Sequence, residues 1–363
     1  MKSAYGMASF TSSHSMTVSI RADPFYYSSI NCRIGDVSFK FRREKLIVLE
    51  NEIECAIKRF LRLKKLLGIL LSPVLDVIDL HGYEYSLCNT FHCVQMQLKK
   101  CGWLDGSPLV CAHGGDSTNE FPNSMAAYRS ALRSQVDCVE IDVSRSLDGV
   151  LLALHDRDLQ RISGNITSKV GHLSMKEIKK LGTSFQFAQK SHDQVITTIE
   201  DALTLVSNSV RKVILDAKVG PPSYEKGLAK DILSVIERTK CYNCLVWAKS
   251  DNLVRDIMRL SSNVTAGYII MVDPSTGFRT NLLRIRKAGV VGVYHPLIDE
   301  KLVRTFHGRN KRVFAWTVDD EDSMRKMLHE RVDAVVTSNP ILFQRVMQDI
   351  RTQCLEEGFS LIR

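Results

Sequence analysis

The chain has 363 residues, 44% of them hydrophobic and 25% charged, an ordinary globular composition that excludes disorder, collagen and coiled coil. Forty-nine Lys and Arg against 40 Asp and Glu give a net charge of +9. The signs are mixed rather than striped, so nucleic acid is a poor default partner, whereas an acidic surface or a phosphate-bearing ligand fits.

The stretch through Ala22 carries six serines, Lys2 and Arg21 and no acidic residue, a composition shared by transit peptides and disordered tails. The compartment stays open between the cytoplasm, a membrane periphery and an organelle. No apolar run is long enough to span a bilayer. Instead Lys58, Arg59, Arg62, Lys64 and Lys65 run into the apolar stretch 66–71, so segment 58–78 reads either as peripheral contact with an anionic membrane or as a helix packed on the main domain. Residues 1–100 are expected to be an extension, partly disordered or helical, followed by a main domain over 101–352 and a tail over 353–363. The ten cysteines are scattered, without the dense spacing of a secreted framework, and most are expected to be reduced and buried. Cys241 and Cys244 form one CxxC with no second pair at zinc spacing, so a loop between helix and strand is expected there.

From Pro108 onward short β-branched runs alternate with helical patterns, the mark of repeated βα units and a parallel sheet. Eight runs are predicted as strands: Leu109–His113, Cys138–Val143, Lys212–Ala217, Cys244–Ala248, Thr265–Ile270, Val290–His295, Arg312–Thr317 and Asp333–Thr337. Eight units in this length make a (β/α)8 TIM barrel, and no Gly-rich phosphate fingerprint supports an open doubly wound sheet. An extra hairpin is predicted around Asp148-Gly149.

Strand ends of a barrel converge on one mouth. His113, Glu140 and Asp142, His155 and Asp156, Asp216 and Lys218, His295 and Trp316 all fall there, although the strand interiors are aliphatic. Glu140 and Asp142 lie two apart and share a face. With Asp216 they suit a hard cation, Mg²⁺ or Ca²⁺, completed by water and substrate phosphate. An ExD of this kind also occurs as a solvent-facing pair or as a salt bridge to Lys218. His113 and His155 can serve as acid and base on one scissile bond, and Lys218 can supply positive charge to a phosphoryl transition state. Trp316 can stack on a choline-like cation or cap the barrel.

These residues carry a resemblance. The segments CAHGGDSTNEFPNSMAAYRSAL and DCVEIDVSRSLDGVLLALHD, followed by VILDAK, VFAWTVDD and VDAVVTSNP, resemble the glycerophosphodiester phosphodiesterases, more particularly a plant subgroup. The likeness spans residues 108–345. It implies a TIM barrel like that of the phosphatidylinositol phospholipases C. The implied activity is metal-dependent hydrolysis of glycerophosphodiesters, such as glycerophosphocholine, to sn-glycerol 3-phosphate and an alcohol. By resemblance Glu140, Asp142 and Asp216 are metal carboxylates, with Asp216 standing where the family usually has Glu. His113 and His155 are the acid/base pair, Lys218 is the phosphate-side lysine, and Trp316 and His295 are expected to line the substrate site. Gly114 stands where the family has the arginine of His-Arg-Gly, and Pro122-Asn123-Ser124 replaces Glu-Asn-Thr. These departures leave two rivals: a lysophospholipase D acting on an acyl-bearing headgroup ester, and a barrel that binds a phosphodiester or headgroup without efficient turnover.

Overall fold

The computed structural model describes residues 16–22, 28–34, 37–42, 99–189, 196–273 and 275–357. The basic-apolar segment 58–78 lies outside the described residues. Among those described, no helix is long and apolar enough to cross a membrane. Two compact units are distinguished, Gly106–Gln348 and a second drawn from Met1–Asp105 with Asp349–Arg363. In the second unit, where disorder or helix was expected, β1 (Met16–Ala22), β2 (Ser28–Ile34) and β3 (Val37–Arg42) form an antiparallel sheet in the order β1-β2-β3. Met16, Val18 and Ile20 alternate with polar residues at the period of a strand.

The larger unit is a closed parallel barrel. Its strands are β4 (Leu109–His113), β5 (Cys138–Arg145), β8 (Lys212–Ala217), β9 (Cys244–Ala248), β10 (Thr265–Ile270), β11 (Val290–Tyr294), β12 (Arg312–Trp316) and β13 (Ala334–Thr337). Each pairs with the next, and β13 pairs with β4 to close the ring. The expected hairpin is present: β6 (Leu151–Ala153) returns antiparallel on β5, and β7 (Thr197–Thr198) pairs with β6. The sixth strand stops at Tyr294, one residue before the expected end, and His295 opens a 3₁₀ turn.

Nine helices are described: α1 (Met125–Arg133), α2 (Asp156–Ser163), α3 (Met175–Gln189), α4 (Ile199–Val206), α5 (Leu228–Arg238), α6 (Asp251–Leu260), α7 (Glu300–His307), α8 (Glu321–Glu330) and α9 (Pro340–Glu356). α9 extends through Glu356, into the start of the expected tail. Helix starts carry their own stop signals. Ser124, Thr198, Ser250, Asp299 and Asp320 each accept a backbone N–H of the first turn, a contact worth about 1 kcal/mol per cap. α2 differs in opening on a histidine, His155.

Alternation divides each strand. Val139, Ile141 and Val143 are fully buried on the helix side, and burying each such side chain stabilises the fold by about 1.5–3 kcal/mol. Cys111, Cys138, Ile214, Leu245, Trp247, Ile269, Phe314 and Val336 fill the barrel interior. Gly292 leaves the space that Trp247 fills, since a Cβ there would stand 2.9 Å from the indole.

The cysteines depart from the expectation of reduced thiols. Cys101–Cys354, Cys111–Cys138 and Cys241–Cys244 are disulfide-bonded. Strand register sets Cys111 opposite Cys138, with Cα atoms 4.4 Å apart. Cys101 and Cys354 lie 253 residues apart in sequence and 5.9 Å apart in space. Neither juxtaposition is visible in sequence spacing. Cys241 lies in the expected connection between α5 and β9, and Cys244 opens β9.

Candidate active site

Interior parity continues past the core to the mouth. Ile214 points inward, and so do Asp216 and Lys218 beyond it; Cys138 is followed on its face by Glu140 and Asp142. Register then aligns the strands, with His113 opposite Glu140 and Asp142 opposite Asp216. The carboxylates of Glu140, Asp142 and Asp216 offer oxygens that all lie within 4.8 Å of one another.

Each carboxylate is held. Glu140 Oε2 accepts the Gly114 N–H at 3.0 Å. Asp142 Oδ2 accepts from the Asn123 amide at 2.8 Å. Lys218 Nζ contacts Asp216 and lies 2.7 Å from Asp142 Oδ1, so its charge is taken up by the carboxylates. Burial, followed by the neighbouring charges of Asp142 and Asp216, pushes the Glu140 carboxyl well up. For Asp142, burial also acts upward, but Lys218, His113 and His155 outweigh it and hold the carboxyl down. Lys218 is raised by Asp142, Asp216 and Glu140 against the opposing effect of its burial.

The donor set fits a hard divalent cation. Three carboxylate oxygens converge, and the one ammonium, which meets Asp142 Oδ1 and Asp216, leaves them under-neutralised. A buried carboxylate oxygen in that state is costly unless a cation meets it.

The histidines differ in their surroundings. His113 Nε2 lies 4.0 Å from Glu140 Oε2. Its Nδ1 lies 3.4 Å from Ser338 Oγ, a hydroxyl that donates to Asp319 Oδ2 at 3.1 Å. With that hydroxyl hydrogen committed, Ser338 receives the proton of His113 Nδ1, leaving Nε2 with its lone pair. His155 Nδ1 instead accepts the Arg157 N–H at 3.1 Å as the cap of α2. The neutral ring therefore carries its proton on Nε2. Burial lowers the His113 pKa. Burial, assisted by Lys218, Arg157 and Lys249 against Asp142, lowers His155 to about 4.

Of the other expected residues, Trp316 ends β12 on the interior side. Its ring lies 5.6 Å from that of Tyr294. His295 is not brought to the carboxylates. Inward parity on β11 runs from Val290 through Gly292 to Tyr294, so that tyrosine takes the inward position, and His295 sits among Asp319, Asp320 and Lys326. Asp156 does not join the site either; it accepts the Val170 N–H at 2.9 Å and secures a loop.

Sequence reasoning passed over several residues. Asn123 was counted only as part of a departure from Glu-Asn-Thr, yet it grips Asp142. Lys249 follows Leu245 and Trp247 at alternate positions, a signal that was present but unused. Asp319 and Ser338 lie in the segments VFAWTVDD and VDAVVTSNP and follow strands there, but their contact with each other and with His113 is not legible in either segment.

The sequence profile of the Glycerophosphoryl diester phosphodiesterase family matches residues 113–342. The glycerophosphodiester phosphodiesterase GDPD4 of Arabidopsis thaliana is 64% identical over 267 residues, 74% of this chain and 81% of that protein. A glycerophosphodiester phosphodiesterase from Caldanaerobacter subterraneus subsp. tengcongensis is 27% identical over 236 residues, 64% of this chain and 94% of that one. The solved structure of an Oleispira antarctica phosphodiesterase, in complex with the product sn-glycerol-3-phosphate, shares the fold. Its TM-score is 0.56 at 21% identity, over 66% of this chain and 97% of that one. The chain therefore belongs to the glycerophosphodiester phosphodiesterase family, in its plant-type branch, and is a phosphoric diester hydrolase.

Proposed function

We propose that the mouth hydrolyses glycerophosphodiesters, glycerophosphocholine among them, to sn-glycerol 3-phosphate and an alcohol, in a reaction that depends on Mg²⁺ or Ca²⁺. The observation that carries this reading is the convergence of Glu140, Asp142 and Asp216 within 4.8 Å beside His113. Glycerol 3-phosphate is also the product named for the Oleispira antarctica structure.

Glu140, Asp142 and Asp216 would hold the cation. Once bound, it supplies Lewis-acid polarisation of a phosphate oxygen. The chain's own groups move the protons. His113 Nε2, with its lone pair free because Ser338 takes the Nδ1 proton, accepts the proton of the attacking nucleophile, either water directly or the neighbouring glycerol hydroxyl followed by water opening the cyclic phosphate. His155 presents Nε2–H, because its Nδ1 is occupied by the Arg157 N–H. It is neutral at physiological pH, so it serves as an uncharged donor to the departing oxygen. Lys218 keeps Asp142 ionised and holds it beside Asp216.

The opposite arc of the mouth is apolar: Met271, Tyr294 and Trp316. A choline-like cation can stack there. That arc also favours the second reading, in which a lysophospholipid is cleaved by the same groups with its chain lying on these side chains.

The test is release of glycerol 3-phosphate from glycerophosphocholine, with Mg²⁺, with Ca²⁺ and with chelator, by the parent protein and by His155→Ala. Metal-dependent release that is lost in the variant is expected. Release that persists under chelation overturns the metal dependence. Cleavage of lysophospholipid alone transfers the function to the second reading, and no turnover of either substrate by folded protein leaves a binding barrel.

A further inference from the structure

Lys218 is already engaged by two carboxylates. Its ammonium contacts Asp216 and lies 2.7 Å from Asp142, so its charge is spent inside the carboxylate cluster. Position 114 offers no cation either. Gly114 has φ +61°, and a Cβ there would meet Pro122 Cβ at 3.1 Å and Asn123 N at 3.2 Å. A phosphodiester carries a negative charge throughout the reaction and gains more as the bond breaks, so a cation beside it is needed.

The next strand supplies one. β9 pairs with β8 so that Ala217 lies opposite Ala248. Lys249 is therefore placed on β9 as Lys218 is on β8, one residue past the strand and on its inward parity. Leu245 and Trp247, four and two residues before it, both lie in the barrel interior. Lys249 itself is exposed at the mouth. Among the described residues its ammonium makes no hydrogen bond or ion pair. Its charge is felt by His155, and it feels Lys218, Asp216, Arg157 and Asp142. The strand parity and these couplings put it on the side of the mouth that holds the carboxylate cluster and the cap of α2.

We propose that Lys249 is the phosphate-binding cation of this mouth, meeting the substrate phosphodiester and the phosphate monoester product in the place that Gly114 leaves without one. The inference rests on the phosphodiesterase reading of the same site. Burial, Lys218 and Arg157 lower its pKa against the opposing pull of Asp216 and Asp142, and among the described residues no anion pairs with it directly. An incoming phosphate relieves that repulsion and regains the solvation that the ammonium lost on partial burial.

The experiment compares the full chain with Lys249→Gln and Lys249→Arg in the presence of Mg²⁺. It reads KM and kcat for glycerophosphocholine, the inhibition constant of inorganic phosphate, and phosphate binding by calorimetry. In Lys249→Gln, KM and the phosphate inhibition constant are expected to rise together by about ten-fold or more, the scale of one charge-assisted contact. Lys249→Arg is expected to recover most of both, and the thermal midpoint to stay unchanged in each. Both constants remaining within about two-fold of the parent, as for a solvated surface charge, overturns the inference. So does a fall in kcat with phosphate affinity unchanged, or a parent that binds no phosphate. If the parent binds phosphate through Lys249 but releases no glycerol 3-phosphate, the hydrolase reading fails and the assignment of Lys249 stands.

Discussion

Asn123 holds Asp142 from two directions. Its amide donates to Asp142 Oδ2 at 2.8 Å, and its carbonyl oxygen accepts the Asp142 backbone N–H at 3.0 Å. Tyr128 donates its hydroxyl to the same oxygen at 3.2 Å, which orients the amide. Asn123 sits at φ 62°, a left-handed conformation that asparagine tolerates. Asn123→Gly preserves that backbone and removes the grip. Divalent-cation affinity, read by titrating activity with Mg²⁺, is expected to weaken about ten- to hundred-fold, the usual cost of losing such support.

His155 has two jobs that one substitution separates. It caps α2 through Nδ1 and presents Nε2–H to the mouth. Asn is also a good cap, so His155→Asn is expected to keep the thermal midpoint while kcat falls by about 10²–10⁴. Turnover close to that of the parent would remove His155 from the chemistry.

Ser338 links Asp319 to His113. Ser338→Ala is expected to lower kcat about ten-fold with KM unchanged, because the ring loses the acceptor that sets its tautomer, a contact of about 1 kcal/mol. Ser338→Thr keeps the hydroxyl and restores the rate. Equal loss in both variants would indicate packing rather than hydrogen bonding.

Asp158 is buried near the start of α2, with Oδ2 lacking a hydrogen-bond partner. Burial raises its carboxyl to about 6, against the pull of Arg157. The folded state therefore holds the proton more tightly than the unfolded chain. Stability from this group is present below the unfolded value near 4 and is lost as pH rises through 6. Asp158→Asn should be more stable than the parent by about 2–3 kcal/mol at pH 7. Denaturant melts at pH 4 and pH 7 check this, and an advantage that does not shrink at pH 4 would contradict the assigned cause.

Gly114→Arg restores a family arginine and is nevertheless expected to harm. The position has φ +61° and faces Pro122 at 3.1 Å, so a side chain costs about 1–2 kcal/mol in backbone strain alone. A lower denaturation midpoint without any gain in kcat/KM is the expected result, and improved phosphate affinity at full stability would show that the loop yields.

The sequence by itself determined the barrel. Val, Ile, Leu and Ala alternating at a period of two are a local property, so Leu109–His113, Lys212–Ala217, Cys244–Ala248 and Thr265–Ile270 were legible to the residue. The polar residues that close these runs marked the mouth for the same reason. Tertiary structure alone decided what crosses between strands. Register set Cys111 against Cys138 and Asp142 against Asp216. It also committed Lys218 to two carboxylates and left Lys249 without a partner. Packing of the ring put Val290 of β11 inside, and that parity carries Tyr294 inward and His295 to the other face, because side chains change face at every step along a strand. Pairings of this kind depend on how the whole ring of strands packs and closes, and no short stretch of sequence encodes them.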